Sequence, residues 1–134
     1  NLHQGAIGTG VDLSCGHTLS AVWMNKVVDR HPDTLEPVSG VQIPHWDQIL
    51  DISARTWELT GLGYQGVDIV LDKEFGPLIL ELNARPGLNI QIANKAGLQP
   101  RLDSVLAHRD ELETPEQRVA FARKHFAAGA QPSV

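Results

Sequence analysis

Every second residue is apolar in two neighbouring runs near the middle of the chain: Val67, Ile69 and Leu71 within residues 66–72, and Leu78, Leu80 and Leu82 within residues 77–83. Period-two alternation of this kind is typical of half-buried β-strands. Residues 73–76 supply a polar connection of the usual hairpin length. The pattern therefore predicts a central antiparallel β-hairpin.

The register of this hairpin follows from keeping its apolar residues on one face. A shift of one residue would turn that apolar set to the opposite side, so we expect Asp72 to pair with Pro77. Asp68 then lies directly opposite Glu81, and Asn83 projects from the same face as Glu81. The remaining predicted pairs are Leu71 with Leu78, Val70 with Ile79, Ile69 with Leu80, Val67 with Leu82 and Gly66 with Asn83.

The predicted register brings two carboxylates together. Directly opposed residues have Cβ atoms roughly 4.5–5.5 Å apart, and like charges at that distance repel. Asp68, Glu81 and Asn83 would form a set of hard oxygen ligands, which suits magnesium bound together with a substrate phosphate. The alternative is the solvated outer face of an ordinary hairpin, and the pattern alone leaves both open.

Segments on either side of the hairpin predict further structure. Residues 7–13 and 17–24 flank a Ser-Cys-Gly turn and predict a second hairpin, and residues 26–44 resemble a linker. Residues 44–62 predict a helix whose apolar face includes Trp46 and Trp57. We expect that helix to pack on the apolar face of the central hairpin, with both tryptophans in the core.

The rest of the chain predicts short helices. One covers residues 89–95, one covers residues 100–108, and Thr114 followed by proline opens a last helix that reaches about residue 128. We interpret its charged residues from 118 to 125 as a solvated face. Asp47, Asp51 and Glu58 are interpreted as the solvated side of the longer helix at 44–62.

Composition narrows the range of functions. The chain has 134 residues and a formal net charge of −5, with no basic run, which argues against nucleic acid as a partner. No apolar stretch approaches the roughly 20 residues that span a bilayer. Cys15 is the only cysteine, and we expect a cytoplasmic protein. Because the chain does not begin with Met, we expect it to be an excerpt of a longer protein.

The central hairpin also carries a family resemblance. Gly-Val-Asp at 66–68, Glu-Leu-Asn at 81–83 and Pro-Gly at 86–87 resemble the metal-binding end of ATP-grasp ligases. The similarity is closest to the glutamate-ligase branch, which includes the enzymes that add glutamate to a ribosomal protein. The resemblance implies that Asp68, Glu81 and Asn83 hold the magnesium ions, or manganese in their place, that bridge the phosphates of ATP.

The first residues extend this resemblance. They are similar to the Asn-Leu-x-x-Gly-Gly segment that lies beside the triphosphate and the acceptor in the glutamate-ligase branch. Asn1 and Gly5 match that segment, whereas Gln4 stands where relatives often carry Arg and Ala6 replaces the second Gly. The resemblance thus implies substrate or phosphate contacts for Asn1, Gln4 and Gly5.

Arg85 is a candidate catalytic and phosphate-binding residue. Strand alternation keeps it near the predicted metal face, where a guanidinium could clamp a phosphate or a carboxylate bidentately. It could instead neutralise Asp68 and Glu81 structurally, and both interpretations remain open.

The resemblance implies an α+β fold in which an antiparallel sheet packs against helices. Residues 1–98 would form the C-terminal part of an ATP-grasp domain, and residues 99–134 a helical extension of it. The upstream ATP-binding part would then be a missing partner from the same chain, without which this segment is inactive.

The implied reaction is the ATP-dependent joining of an amino-acid or peptide carboxylate to an amine through an acylphosphate. The alternatives are a relative that binds nucleotide without catalysis and a non-catalytic α+β interaction domain.

Overall fold

The computed structural model describes residues 6–24, 26–87, 91 and 97–129. These residues form two small antiparallel sheets and three α-helices, which confirms the predicted α+β class. The strands are β1 (Gly8–Val11), β2 (Thr18–Trp23), β3 (Lys26–Val28), β4 (Gly66–Asp72) and β5 (Gly76–Asn83). The helices are α1 (Trp46–Thr60), α2 (Gln99–Ala107) and α3 (Pro115–His125), with a 3₁₀ turn (Arg109–Glu111) between the last two.

The first sheet has the strand order β1-β2-β3 and confirms the predicted N-terminal hairpin. The turn between β1 and β2 is closed by Asp12, whose carboxylate accepts hydrogen bonds from the Ser14 hydroxyl (2.7 Å) and the Ser14 backbone N–H (2.8 Å). These hydrogen bonds lower the pKa of the Asp12 carboxyl. A short polar side chain therefore stabilises the turn.

Residues 26–44 are more ordered than the predicted linker. They begin with β3 and then fold back onto the start of β2, where Gly40 N–H donates to the Thr18 carbonyl (2.8 Å) and Val41 N–H donates to the Thr18 hydroxyl (2.9 Å). Ile43 N–H donates to the Gly16 carbonyl (2.9 Å). The loop interpretation is correct for residues 29–44, which contain no helix or strand, and wrong for β3; backbone pairing, which leaves no mark in composition, holds the loop in place.

Helix α1 begins against the β1–β2 turn. The Trp46 indole N–H donates to the Leu13 carbonyl (3.2 Å), and its ring covers Gly16, where a Cβ would lie 2.4 Å from the Trp46 Cγ. Only glycine fits there, because Gly16 also has a positive φ of 79°. The helix ends at Gly61, whose N–H donates to the Trp57 carbonyl (2.7 Å).

Helix α3 runs antiparallel to α1 and is joined to it by ion pairs. Glu116 at the start of α3 pairs with Arg55 (3.1 Å), and further along Arg118 pairs with Glu58 and Arg123 pairs with Asp47. The predicted solvated face of α1 is confirmed at Asp47 and Glu58, whose side chains are 90% and 42% exposed, whereas Arg118 on the predicted solvated face of α3 is half-buried. Charged side chains on the two helices thus pair with each other while most of them remain exposed to water.

Arg118 explains much of this contact. Its side chain is only 18% exposed, and its guanidinium lies 5.1 Å from the centre of the Trp57 ring. Trp57 is 46% exposed, so the prediction that it lies in the core was wrong. An arginine stem can cover apolar surface while its charged group reaches a partner, and Arg118 uses Trp57 in this way.

The start of α3 was predicted correctly. Thr114 and Gln117 form a reciprocal capping box, in which Thr114 N–H donates to Gln117 Oε1 (2.8 Å) and Gln117 N–H donates to Thr114 Oγ1 (3.2 Å). The helix ends at His125, earlier than the predicted residue 128. The predicted helix at 100–108 corresponds to α2, whereas the one at 89–95 lies outside the described residues except for Gln91.

Strands β4 and β5 form the second sheet, which has two strands. The predicted register is correct for Gly66–Asn83, Val67–Leu82 and Asp68–Glu81. Beyond Asp68 a β-bulge shifts the pairing by one residue, so the predicted pairs on the loop side were wrong. The observed pairs there are Ile69 with Ile79, Val70 with Leu78, Leu71 with Pro77 and Asp72 with Gly76.

The bulge also changes what the hairpin buries. Leu80 is left without an opposite residue and is 68% exposed, and Leu71 and Leu78 are exposed as well. Helix α1 lies beside the hairpin: its Gln48 Oε1 would be 3.7 Å from a Cβ on Gly76. The expectation that α1 covers the apolar hairpin face was therefore wrong for these leucines.

Candidate functional site

The candidate site lies at the end of the hairpin remote from its loop. Asp68 on β4 pairs directly with Glu81 on β5, and Asn83 pairs with Gly66 two residues further along. Residues two apart on a strand share a face, so all three side chains project from the same side of the sheet. The structure thus brings together the three predicted metal ligands.

The two carboxylates have no ion-pair partner among the described residues. Asp68 and Glu81 are exposed, and neither takes part in any of the salt bridges that the structure contains there. Directly opposed like charges destabilise an antiparallel pair. The site therefore has an electrostatic reason to take a cation.

Gly66 fixes the position of Asn83. A Cβ on Gly66 would lie 2.9 Å from the Pro86 Cβ and 3.4 Å from the Asn83 Cβ, so the chain after β5 packs directly on the glycine. Any larger residue would displace Pro86 or Asn83. The Gly-Val-Asp segment therefore needs its glycine for close packing beside the carboxylates.

Gln65 connects the site to α1. Its side-chain Nε2 donates to the Thr56 hydroxyl (2.7 Å), and its Oε1 accepts from the Thr60 hydroxyl (3.0 Å). Gln65 immediately precedes β4, so both bonds hold the start of the strand that carries Asp68. Sequence reasoning missed this residue, because a lone glutamine before a strand carries no motif.

The loop end of the hairpin is closed separately. The Asp72 carboxylate accepts hydrogen bonds from the backbone N–H groups of Phe75 (3.0 Å) and Glu74 (2.8 Å), which lower its carboxyl pKa below 3.8. Gly76 follows with φ of 73°, a conformation that favours glycine. Asp72 is thus a turn residue and does not belong to the site.

The donor set fits a hard divalent cation. Two exposed carboxylates and a carboxamide on one face offer oxygen ligands, and magnesium is usually held by one or two carboxylates together with phosphate oxygens and water. Across the described part of the chain, no group of three or more His, Cys, Asp and Glu side chains could hold a metal ion. A site with two carboxylates and Asn83 thus depends on further oxygen ligands from substrate.

Arg85 is exposed and makes no salt bridge with Asp68 or Glu81. Both interpretations of Arg85, as a neutraliser of those two charges and as a substrate-binding group, therefore stay predictions. Asn1, Gln4 and Gly5 lie outside the described residues.

The part of the chain that contains the hairpin matches a known protein family. The profile of the sugar-transfer associated ATP-grasp family matches residues 1–107, from the first predicted substrate-binding residue through α2. The chain belongs to this family. The predicted ATP-grasp membership is thereby confirmed, whereas the match does not show the glutamate-ligase branch. No curated protein and no solved structure gives a significant match.

ATP-grasp membership implies ATP and magnesium in general terms, and it indicates an ATP-dependent ligase. Helix α3 lies beyond the matched residues of this ATP-grasp chain. No helix in the described part of the chain is long and apolar enough to cross a membrane.

Proposed function

We propose that this ATP-grasp protein is an ATP- and magnesium-dependent ligase that joins a carboxylate to an amine. The observation that supports this most directly is the pairing of Asp68 with Glu81, with Asn83 on the same face, inside the matched region. Two opposed carboxylates without an ion-pair partner repel each other and destabilise a hairpin. A bound cation would relieve that repulsion.

The proposed reaction has two steps. A carboxylate oxygen of the first substrate attacks the γ-phosphorus of ATP, the bond to the β–γ bridging oxygen breaks, and ADP leaves. The amine of the second substrate then attacks the acyl carbon, the C–O bond to phosphate breaks, and the amine loses a proton. Phosphate leaves and an amide or peptide bond remains.

Each site residue has a role in this proposal. Asp68, Glu81 and Asn83 would hold magnesium, which would supply positive charge beside the phosphates. Arg85 is exposed two residues beyond Asn83, and its guanidinium can bind a phosphate or a carboxylate bidentately. Fixed positive charge and fixed ligands orient ATP and acceptor, which is most of what phosphoryl transfer requires of a protein.

The substrates are proposed as a class. The resemblance to the glutamate-ligase branch favours an amino acid or a peptide, with glutamate as the first to test. The association of the family with sugar transfer adds amino sugars and sugar acids to the substrate panel.

The test measures ADP release by the full-length protein with ATP, magnesium and this panel. We expect release that one carboxylate–amine pair stimulates and that Glu81→Gln abolishes. Glu74→Gln is the matched control, because it removes the same charge from the hairpin loop, away from the site. Release that Glu81→Gln leaves unchanged would show that the metal is held elsewhere.

The second candidate is a relative that binds nucleotide without catalysis. Gln4 and Ala6, which depart from the substrate-side segment of the resembling ligases, favour it. Magnesium-dependent ATP binding that Glu81→Gln weakens, without ADP release for any member of the panel, would distinguish this candidate from a ligase.

A further inference from the structure

Both polar atoms of the Gln65 side-chain amide are hydrogen-bonded to α1. Thr56 is 1% exposed, and its hydroxyl already donates to the Ser53 carbonyl (2.7 Å). The hydroxyl can therefore only accept from Gln65, which fixes the side-chain amide with Nε2 towards Thr56 and Oε1 towards Thr60.

The geometry of the strand transmits this contact to the site. A strand rises about 3.3 Å per residue, so Asp68 lies only about 10 Å along β4 from Gln65. Within the described part of the chain the sheet that contains β4 has two strands, and an isolated two-stranded hairpin is marginally stable in water. A side-chain anchor at the start of β4 therefore limits how far the Asp68 carboxylate can move relative to α1.

Helix α1 is in turn fixed at both ends. The first residue of α1, Trp46, packs against the β1–β2 turn. Near the end of α1, the guanidinium of Arg118 from α3 lies over the Trp57 ring. Thr56 and Thr60 belong to the same last turns of α1 as Trp57. Gln65 thus joins β4 to a helix that is itself held in place at both ends.

We propose that Gln65 is a positioning residue for the magnesium site, acting through β4 on Asp68. This inference rests on the proposed function, because it takes Asp68 as a magnesium ligand. Groups hydrogen-bonded directly to metal ligands typically change metal affinity 10–100-fold when they are removed, and Gln65, which acts through β4, is expected at the lower end of that range. Loss of the Gln65 anchor is therefore expected to raise the magnesium concentration at half-maximal ADP release about tenfold, with the rate at saturating magnesium largely retained.

The main test compares three variants of the full-length protein. Gln65→Leu keeps the size of the side chain but leaves the Thr56 hydroxyl without its donor, and it risks poor folding. Thr60→Val removes the half-buried hydroxyl that bonds Gln65 Oε1, and with it the contacts of that hydroxyl with the Thr56 carbonyl and the Leu62 N–H; Thr60→Ser restores the hydroxyl. Thr60→Val should raise the half-saturating magnesium concentration, and Thr60→Ser should return it to the wild-type value.

A second measurement reports on position without activity. Hydrogen exchange of the β4 amides around Asp68 should accelerate in Thr60→Val and be restored in Thr60→Ser. A purely structural role would lower the yield of folded protein and leave the half-saturating magnesium concentration unchanged, which would overturn the proposal. Unaltered exchange would overturn it as well.

The outcomes separate this inference from the proposed function. If Glu81→Gln leaves ADP release intact, the metal site itself is wrong and Gln65 has nothing to position. If Glu81→Gln abolishes release but Thr60→Val leaves the magnesium dependence unchanged, only the positioning role of Gln65 is overturned.

Discussion

Gly66 lies against Pro86 so closely that a Cβ on Gly66 would be 2.9 Å from the Pro86 Cβ. Because Asn83 flanks the same glycine, this contact sets how the chain leaves β5 next to the carboxylates. The glycine and the proline of the resembling motif are thus explained by one packing contact, and not by backbone flexibility.

Gly66→Ala should therefore destabilise the protein and disturb the site together. Forcing an extra methyl into a packed position costs about 1–3 kcal/mol of unfolding free energy, which urea unfolding measures. Gly63→Ala is the control, since a Cβ there meets nothing within 4 Å. Equal stability of the two variants would contradict the contact between Gly66 and Pro86.

Removing one charge from the carboxylate pair should have opposite effects with and without magnesium. Asp68→Asn relieves the repulsion by Glu81 and should raise the unfolding free energy in chelator by roughly 0.2–1 kcal/mol. The same substitution should reduce the stabilisation that added magnesium gives. Thermal unfolding in chelator and in magnesium measures both effects.

Glu74→Gln provides the comparison for Asp68→Asn, since it changes the hairpin charge equally at the loop. If both substitutions raise stability equally in chelator, repulsion within the pair is not their cause, and the opposed geometry at Asp68 and Glu81 would be refuted.

The attachment of α3 to α1 should depend on Arg118 more than on the other arginines. Its guanidinium donates to the Leu112 (3.0 Å) and Glu113 (2.9 Å) carbonyls in addition to its contacts with Trp57 and Glu58. Arg118→Ala should lower the unfolding free energy by about 2 kcal/mol, because charged hydrogen bonds and ring packing are lost together.

Arg109→Ala is the matched control, because the Arg109 side chain is 76% exposed and pairs only with its neighbour Asp110 among the described residues. A change within about 0.5 kcal/mol is expected there. Much of the Arg118 effect should persist at high salt, since salt screens exposed charges and not a stacked, hydrogen-bonded guanidinium. Equal losses for both variants would contradict the docking of α3.

The hairpin loop should weaken in acid through Asp72. Its folded-state pKa is lowered by the Phe75 and Glu74 N–H groups, so its contribution to stability is present above the ordinary value of 3.8 and is lost as pH falls through the folded-state value. Asp72→Ala should therefore be less stable than wild type at neutral pH, and the difference should shrink below pH 3.8.

Chemical unfolding of both proteins across this pH range measures that difference. Lys73→Ala in the same loop should show no such trend, because the hydrogen bonds that close the turn are accepted by Asp72. A stability difference that stays constant into strong acid would mean that the Asp72 carboxylate does not close the turn.

The register at the site was predictable because polar and apolar residues alternate strictly there. Asp68, Glu81 and Asn83 must share a face if Val67 and Leu82 share the other, so a single alignment satisfies the pattern. On the loop side, residues 69–71 and 77–80 are apolar without interruption. A one-residue shift keeps apolar side chains opposite one another there, so the sequence could not indicate the bulge.

The contacts that support the site were not predictable in the same way. Arg118 and Glu58 belong to segments far apart in the chain, and a charged residue on a helix has the same local pattern whether it meets water or an opposite charge. Gln65 contributes only after α1 and β4 are placed side by side. Tertiary contacts of polar groups therefore required the structure.

The bulge at Leu80 gives the hairpin tolerance to changes in length. Because the pairing shift is absorbed between Asp68 and Ile69, the loop half can gain or lose a residue at the bulge without rotating the ligand half. Substitutions, insertions and grafts at the turn of residues 73–75 should therefore leave the pairing of Asp68 with Glu81 unchanged. The loop is the part of this hairpin that evolution or an engineer can rebuild most freely.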